Sequence, residues 1–163
     1  ADNALLTSHS PVTVASRGRI DSPATRTMAA EVASSFDVRL PQENPMASAL
    51  SGGNLQKFVV GREISRRPRV FIVSQPTWGV DVGAALSIRT AMLDLAAAGS
   101  AVVMISQDLE EIFAISHRVA VLYGGALSEA MVTADVTPER LGLLMGGSEA
   151  APGMPASAAE AHA

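Results

Sequence analysis

The sequence contains no cysteine, so disulfide frameworks and thiolate-bound zinc or iron–sulfur centres are excluded. It also has no apolar run near the ~20 residues that a membrane-spanning helix needs; its apolar runs, such as residues 70–73 and 101–105, are short. Positive charge is scarce: 12 Lys and Arg stand against 16 Asp and Glu, the net charge is −4 and the pI is near 5.3. That balance leaves no electrostatic footprint for DNA or RNA, and nucleic acid is not expected as a partner. Neither an initiator Met nor the basic and apolar regions of a signal peptide opens the chain, which starts Ala-Asp-Asn-Ala-Leu-Leu. The expectation is that the protein's beginning lies upstream of residue 1. What is present is 163 residues, 48% hydrophobic. This suffices for one domain with a core or for a piece of a larger one.

Along the chain, Ser22-Pro23 starts a predicted helix over residues 24–35, with Met28 and Val32 on one face. Leu55, Phe58, Val59 and Arg62 predict a second helix over 54–64, ended by Arg66-Arg67-Pro68. Residues 70–73 read as a strand buried on both faces. A helix over 82–98 is expected to bury Leu86, Ile88, Met92, Leu93 and Leu95, stop at Gly99 and lead to a second buried strand at Ala101–Ile105. Asp108 and Glu111 form a capping box for a helix to about Ile115, the charges of Asp108, Glu110 and Glu111 solvating its N-terminus. Residues 118–123 and 126–131 read as a hairpin around Gly124-Gly125, and Thr137-Pro138-Glu139 starts a last helix. Strands alternating with helices imply an α/β layer with a largely parallel sheet. Residues 148–163, rich in Ala, Pro and Ser, are expected to be a disordered tail.

The stretch Leu50-Ser51-Gly52-Gly53-Asn54-Leu55-Gln56 stands at the start of a helix. Two glycines let a backbone approach an anion, Ser51 offers a hydroxyl, and the free N–H groups of a helix N-terminus carry positive partial charge. This suits a phosphate; on its own it is also readable as a loop and helix cap.

The chain resembles the ATP-binding subunits of ABC transporters. Their LSGGQ signature is similar to Leu50-Ser51-Gly52-Gly53-Asn54, and residues 70–77 resemble the Walker B strand with its Asp-Glu-Pro-Thr end. Trp78-Gly79-Val80-Asp81 looks like the D-loop region, and Ile105-Ser106-Gln107-Asp108 like the switch region that normally reads Ser-His-Asp. The resemblance covers residues 24–131 or so; Asn54, the run at 79–84 and Asp108-Leu109-Glu110-Glu111 look most like the second ATPase half of sugar and nucleoside importers. It implies a P-loop NTPase-like α/β fragment. Residues 1–49 would be part of the helical subdomain and a linker, and 50–147 the signature, Walker B, D-loop and switch region.

Departures from the family pattern shape the expected chemistry. A Walker B aspartate organises Mg²⁺, the following glutamate polarises water and a switch histidine contacts the γ-phosphate; here those places hold Ser74, Gln75 and Gln107. Serine is a weak magnesium partner, and glutamine cannot accept water's proton. The expectation is a site of its own that binds ATP but hydrolyses it poorly, with Gln75 and Gln107 at degenerate catalytic positions. The competing reading makes Ser74-Gln75 only a strand end, but Pro76-Thr77 and Asp81 keep the family's spacing. The single lysine, Lys57, follows Gln56, so no Gly-Lys-Ser or Gly-Lys-Thr phosphate loop can form and the Walker A region is absent.

The family pairs two ATPase domains head to tail. The resemblance therefore implies that Leu50, Ser51, Gly52, Gly53, Asn54 and Gln56 complete a partner's ATP and Mg²⁺ site, that Ser74 belongs to this chain's own, and that Asp81 is a further nucleotide-binding position in the D-loop region. Implied partners are the other ATPase half, membrane permease subunits and, indirectly, a periplasmic or lipoprotein solute-binding protein. The implied place is peripheral, on the cytoplasmic face of the membrane. Two alternatives stand beside this: a soluble ABC ATPase without a permease, and a non-catalytic interaction module. No metal site of the chain's own is expected. His117 reads as a surface or capping residue, His9 and His162 lie in unpatterned ends, Met92 and Met104 read as core, and Trp78 either packs at a dimer seam or fills a local gap.

Overall fold

The computed structural model describes residues 2–7, 15–16 and 19–147. The tail at 148–163 and the histidines at 9 and 162 lie outside them. The chain divides into two compact units, the first running to Ile105 and the second beginning at Ser106.

The first unit opens with a short helix α1 (Asp2–Leu5) and a two-residue hairpin of β1 (Ala15–Ser16) and β2 (Arg19–Ile20). Helix α2 (Ser22–Ser35) starts as its sequence predicts. Pro23 fixes the first turn and Asp21 caps it, accepting from the Ala24 N–H at 3.0 Å. Val32, Ala33, Val38, Ala4 and Phe58 are buried together, with Met28, Phe36 and Leu40 packed against them. Phe58 comes from α3 (Gly52–Ser65). The buried face of α3 is Lys57, Phe58, Val60 and Gly61, whereas Leu55 and Val59 are exposed. The anticipated stripe was thus rotated, because α2 packs on α3 and a Cβ at Gly61 would come within 2.5 Å of the Phe36 ring, a spacing open only to glycine.

Where α1 meets α3, the Thr7 hydroxyl donates to Glu63 Oε1 at 2.6 Å and Arg62 Nε to the same oxygen at 2.7 Å. Burial pulls the Glu63 pKa upward, but the Thr7 and Arg62 hydrogen bonds and the Arg62 and Arg66 charges bring it below the usual carboxylate value.

Strands β3 (Val70–Ser74) and β4 (Ala101–Ile105) run parallel, with Val70 opposite Ala101 and Ser74 opposite Ile105. Helix α4 (Val82–Ala97) connects them and buries Ala84, Ile88, Met92 and Leu95. Gly99 stops it at φ +97°, a conformation glycine adopts at no steric cost. Two expectations are corrected. The strands are not buried on both faces: Phe71 is buried, but Val70, Ile72, Val103 and Ile105 are exposed, Ile72 by 66%. Parallel strands read as continuous apolar runs because both sheet faces are normally covered, and one face here is bare. Leu86 and Leu93 are likewise exposed and lie outside the core, since α4 buries one stripe only.

In the second unit, Asp108 caps α5 (Leu109–Ile115) by accepting from the Glu111 N–H at 3.2 Å. Glu111 itself is buried rather than solvating the helix end, because the turn that carries Ile112 inward carries its neighbour too. The hairpin forms in two pieces: β5 (Arg118–Val119) with β8 (Met131–Val132), and β6 (Leu122–Tyr123) with β7 (Ala126–Leu127), around Gly124 and Gly125 at positive φ. Between the pieces Ala120 and Val121 face Ser128, Glu129 and Ala130, a bulge held by the Val121 N–H donating to Ser128 Oγ at 2.9 Å. Thr137 and Pro138 start α6 (Pro138–Met145), which buries Leu141 and Leu144. His117 is exposed, as its sequence context suggests.

Candidate functional site

Ser51 stands just outside α3 as its N-cap. Its Oγ accepts from the Asn54 N–H at 3.4 Å and from Asn54 Nδ2 at 2.9 Å. A hydroxyl that accepts two hydrogen bonds keeps one hydrogen to donate, and here no described residue takes it. Asn54 Oδ1 accepts from the Arg39 N–H at 2.8 Å, so the same amide ties the segment after α2 to the start of α3. Leu50 is half-buried ahead of the cap.

The two glycines that follow are not demanded by the packing. A Cβ on Gly52 would meet nothing within 4 Å, and one on Gly53 would reach Val80 only at 3.7 Å, an ordinary contact. The first turn of α3 therefore presents its unpaired backbone N–H groups next to open space, where an anion is attracted by the helix dipole.

Gln56, one turn on, points elsewhere: Nε2 donates to the carbonyls of Pro76 at 2.9 Å and Gln75 at 3.4 Å. Ser74 is exposed at the end of β3, and Gln75 is held at φ +50°, a left-handed conformation costly for a residue with a side chain. Bonds on both sides hold it there. The Gln75 N–H donates to the Ile105 carbonyl at 2.8 Å, and the Gln75 carbonyl accepts from the Trp78 N–H at 3.2 Å. Trp78 is 82% exposed, which removes the gap-filling reading. Asp81 caps α4, accepting from the Ala84 N–H at 2.8 Å. That bond first, then the Gly83 N–H and the Lys57 charge, hold its carboxyl below the usual range against a smaller desolvation effect.

The first unit thus brings Ser51, Gly52, Gly53, Asn54 and Gln56 beside the loop carrying Ser74, Gln75 and Asp81. Gln107 belongs to the second unit, exposed ahead of Asp108, whose N–H donates to Ser106 Oγ at 3.1 Å. The sequence reading missed Arg39 and Lys57. Lys57, mostly buried, donates to the Asp37 carbonyl and pairs with its carboxylate at 3.4 Å. No local pattern announces either contact, because each joins α3 to the irregular segment after α2, where Asp37 and Arg39 lie; the Ser51–Asn54 spacing, by contrast, is that of a helix cap. Among the described residues no group of three His, Cys, Asp or Glu could hold a metal ion. Ser74 and Gln75 are neutral, so these residues do not fit Mg²⁺.

No protein-family model matches the chain. It is 45% identical over 113 residues to the guanosine import ATP-binding protein NupO of Bacillus subtilis, covering 69% of this chain and 22% of that protein. It is 46% identical over 128 residues to the glucose import ATP-binding protein TsgD13 of Haloferax volcanii, covering 77% and 23%. The nucleoside import ATP-binding protein NupA of Lactococcus lactis matches at 39% over 147 residues, covering 90% and 29%. The chain therefore spans about a quarter of the length of these relatives. Among solved structures, a dimeric post-hydrolysis ATP-binding cassette bound to ADP and Pi superimposes with a TM-score of 0.62 at 22% identity, covering 72% of this chain and 51% of that one. A putative metal-chelate type ABC transporter in an inward-facing conformation superimposes with a TM-score of 0.64 at 15% identity, covering 82% and 52%. These two likenesses establish the fold.

Proposed function

We propose, from the premise that this chain belongs to the ATP-binding-cassette ATPases, among the sugar and nucleoside import ATP-binding proteins, and spans a C-terminal part of one, a specific place for it in transport. It is the end of the second ATPase half of an importer subunit, which couples ATP binding and hydrolysis to uptake of a sugar or nucleoside. The full subunit sits on the cytoplasmic face of a membrane permease, supplied by a solute-binding protein. No helix among the described residues is long and apolar enough to cross a membrane.

The two ATPase halves close head to tail in this reading. The open first turn of α3 then covers the γ-phosphate held by the partner's Walker A loop, with Leu50, Ser51, Gly52, Gly53 and Asn54 as the covering segment. One observation carries this: two glycines that the chain's own packing does not need lie beside a serine hydroxyl with a hydrogen to donate. On this half's own side Ser74 and Gln75 stand at the magnesium and water-polarising positions, and Gln107 stands at the switch position of the second unit. None of these three side chains is a carboxylate that could accept water's proton or hold magnesium, and Asp81 is engaged as the α4 cap, so this half binds nucleotide and turns it over poorly. The 163-residue chain alone has no phosphate loop and is inactive.

In the reconstituted importer, Ser51→Arg or Gly53→Asp abolishes ATPase activity with the fold intact. The lost contact is worth about 2–4 kcal/mol in the transition state. Wild-type turnover in either variant sinks the reading.

A further inference from the structure

We propose that Gln56 is a positioning residue: its side-chain amide fastens the signature helix α3 to the loop that carries Ser74, Gln75 and Trp78, so that movement of one is passed to the other. This rests on the reading above, in which α3 serves the partner's site and the loop serves this half's own. The amide reaches across 20 residues of sequence to the Pro76 carbonyl at 2.9 Å and touches the Gln75 carbonyl at 3.4 Å. A side chain whose two N–H donors point into the loop is not aimed at the space beside Gly52 and Gly53.

The loop needs such a fastening. Gln75 is left-handed without being glycine, a conformation that persists only where neighbouring bonds hold it. The Ile105 carbonyl holds its N–H; Gln56 holds the peptide that follows. The Gln75 carbonyl is shared between Gln56 and the Trp78 N–H, so loss of the amide reaches Trp78 directly. On the far side of the loop Val80 lies against Gly53, and the two segments also meet there.

Trp78 is the single tryptophan of the chain and largely exposed, so its anisotropy decay carries the fast rotamer motion of the ring and, as a separate slower component, the motion of the loop that bears it. In the 163-residue chain, Gln56→Glu keeps the shape of the side chain and removes both donors, Gln56→Met removes them with an apolar chain of similar length, and Gln56→Lys restores a donor. Time-resolved fluorescence anisotropy of Trp78 is expected to show faster segmental motion in the Glu and Met variants and a return toward wild type in the Lys variant. A purely structural role moves the unfolding midpoint but not this native-state decay. In the assembled importer, Gln56→Glu lowers kcat roughly tenfold with KM for ATP unchanged, the signature of mispositioning rather than lost binding. An unchanged Trp78 decay in both donor-free variants overturns the proposal, as does a Lys variant that behaves like Met, or a rise in KM at constant kcat. Wild-type turnover in Ser51→Arg with a loosened Trp78 overturns the transport reading and leaves the fastening in place.

Discussion

At Gly53 the needs of the fold and of the proposed site separate. Alanine there meets only Val80 at ordinary contact distance and takes a conformation in which it outperforms glycine in the unfolded-state balance. Gly53→Ala should therefore leave chain stability unchanged or raise it by about 0.4–1 kcal/mol, read by urea unfolding, while slowing ATPase activity in the assembled importer. A destabilised chain would mean that the glycine serves packing. Asp81 makes a pH prediction. Its carboxyl is held below the ordinary value, chiefly by the Ala84 N–H. A depressed carboxyl contributes stability above its unfolded pKa of about 3.9, and the contribution is lost as pH falls through the lower folded value. Asp81→Asn keeps a capping oxygen without the charge, so the urea midpoints of wild type and variant should differ at neutral pH and converge below about pH 4. A gap that stays constant down to pH 3 contradicts the assignment.

At the scale of elements, much of the order was legible. Ser22-Pro23, Asp108 with Glu111 and Thr137-Pro138 mark helix starts, local chemistry that a sequence displays directly; the caps at Asp21 and Asp81 went unread. The signature, the β3 loop and Asp81 were found as motifs, and the first unit brings them together. What the sequence did not display was which side of each element is covered. Val70 and Ile72 look as buried as Phe71 in a run of apolar letters, and only the absence of a neighbour on one face distinguishes them. The rotated face of α3 has the same origin, because Gly61 gives no hydrophobic signal yet lies where Phe36 fits. Gly61→Ala should cost about 1–3 kcal/mol by overpacking against that ring. Thermal unfolding checks it, and a shift no larger than that of an exposed alanine substitution would show that the ring moves aside freely.

Taken as a whole, the 163-residue chain by itself leaves an apolar sheet face of Val70, Ile72, Val103 and Ile105 exposed. Exposed contiguous apolar surface binds hydrophobic dyes and invites association. Ile72→Thr with Val103→Thr should lower dye binding and raise solubility while moving stability by no more than about 0.5 kcal/mol each. A large loss of stability would mean that these side chains are covered in solution. The isolated chain should also bind ATP weakly, and micromolar affinity by calorimetry would contradict the absence of a phosphate loop. The parallel pairing of β3 with β4 has a kinetic corollary. Antiparallel strands can zip from a tight turn, but Val70 meets Ala101 only after the whole of α4 has been laid across the gap. Closing that loop costs chain entropy before any ladder bond returns it, so the pairing is a slow, late-rewarded event. Truncating Ile88, fully buried on the crossover helix, should slow refolding, whereas truncating Leu141 in the second unit should chiefly hasten unfolding. The rhythm at which the β3–β4 pair reaches its native state is then set by the helix that bridges it.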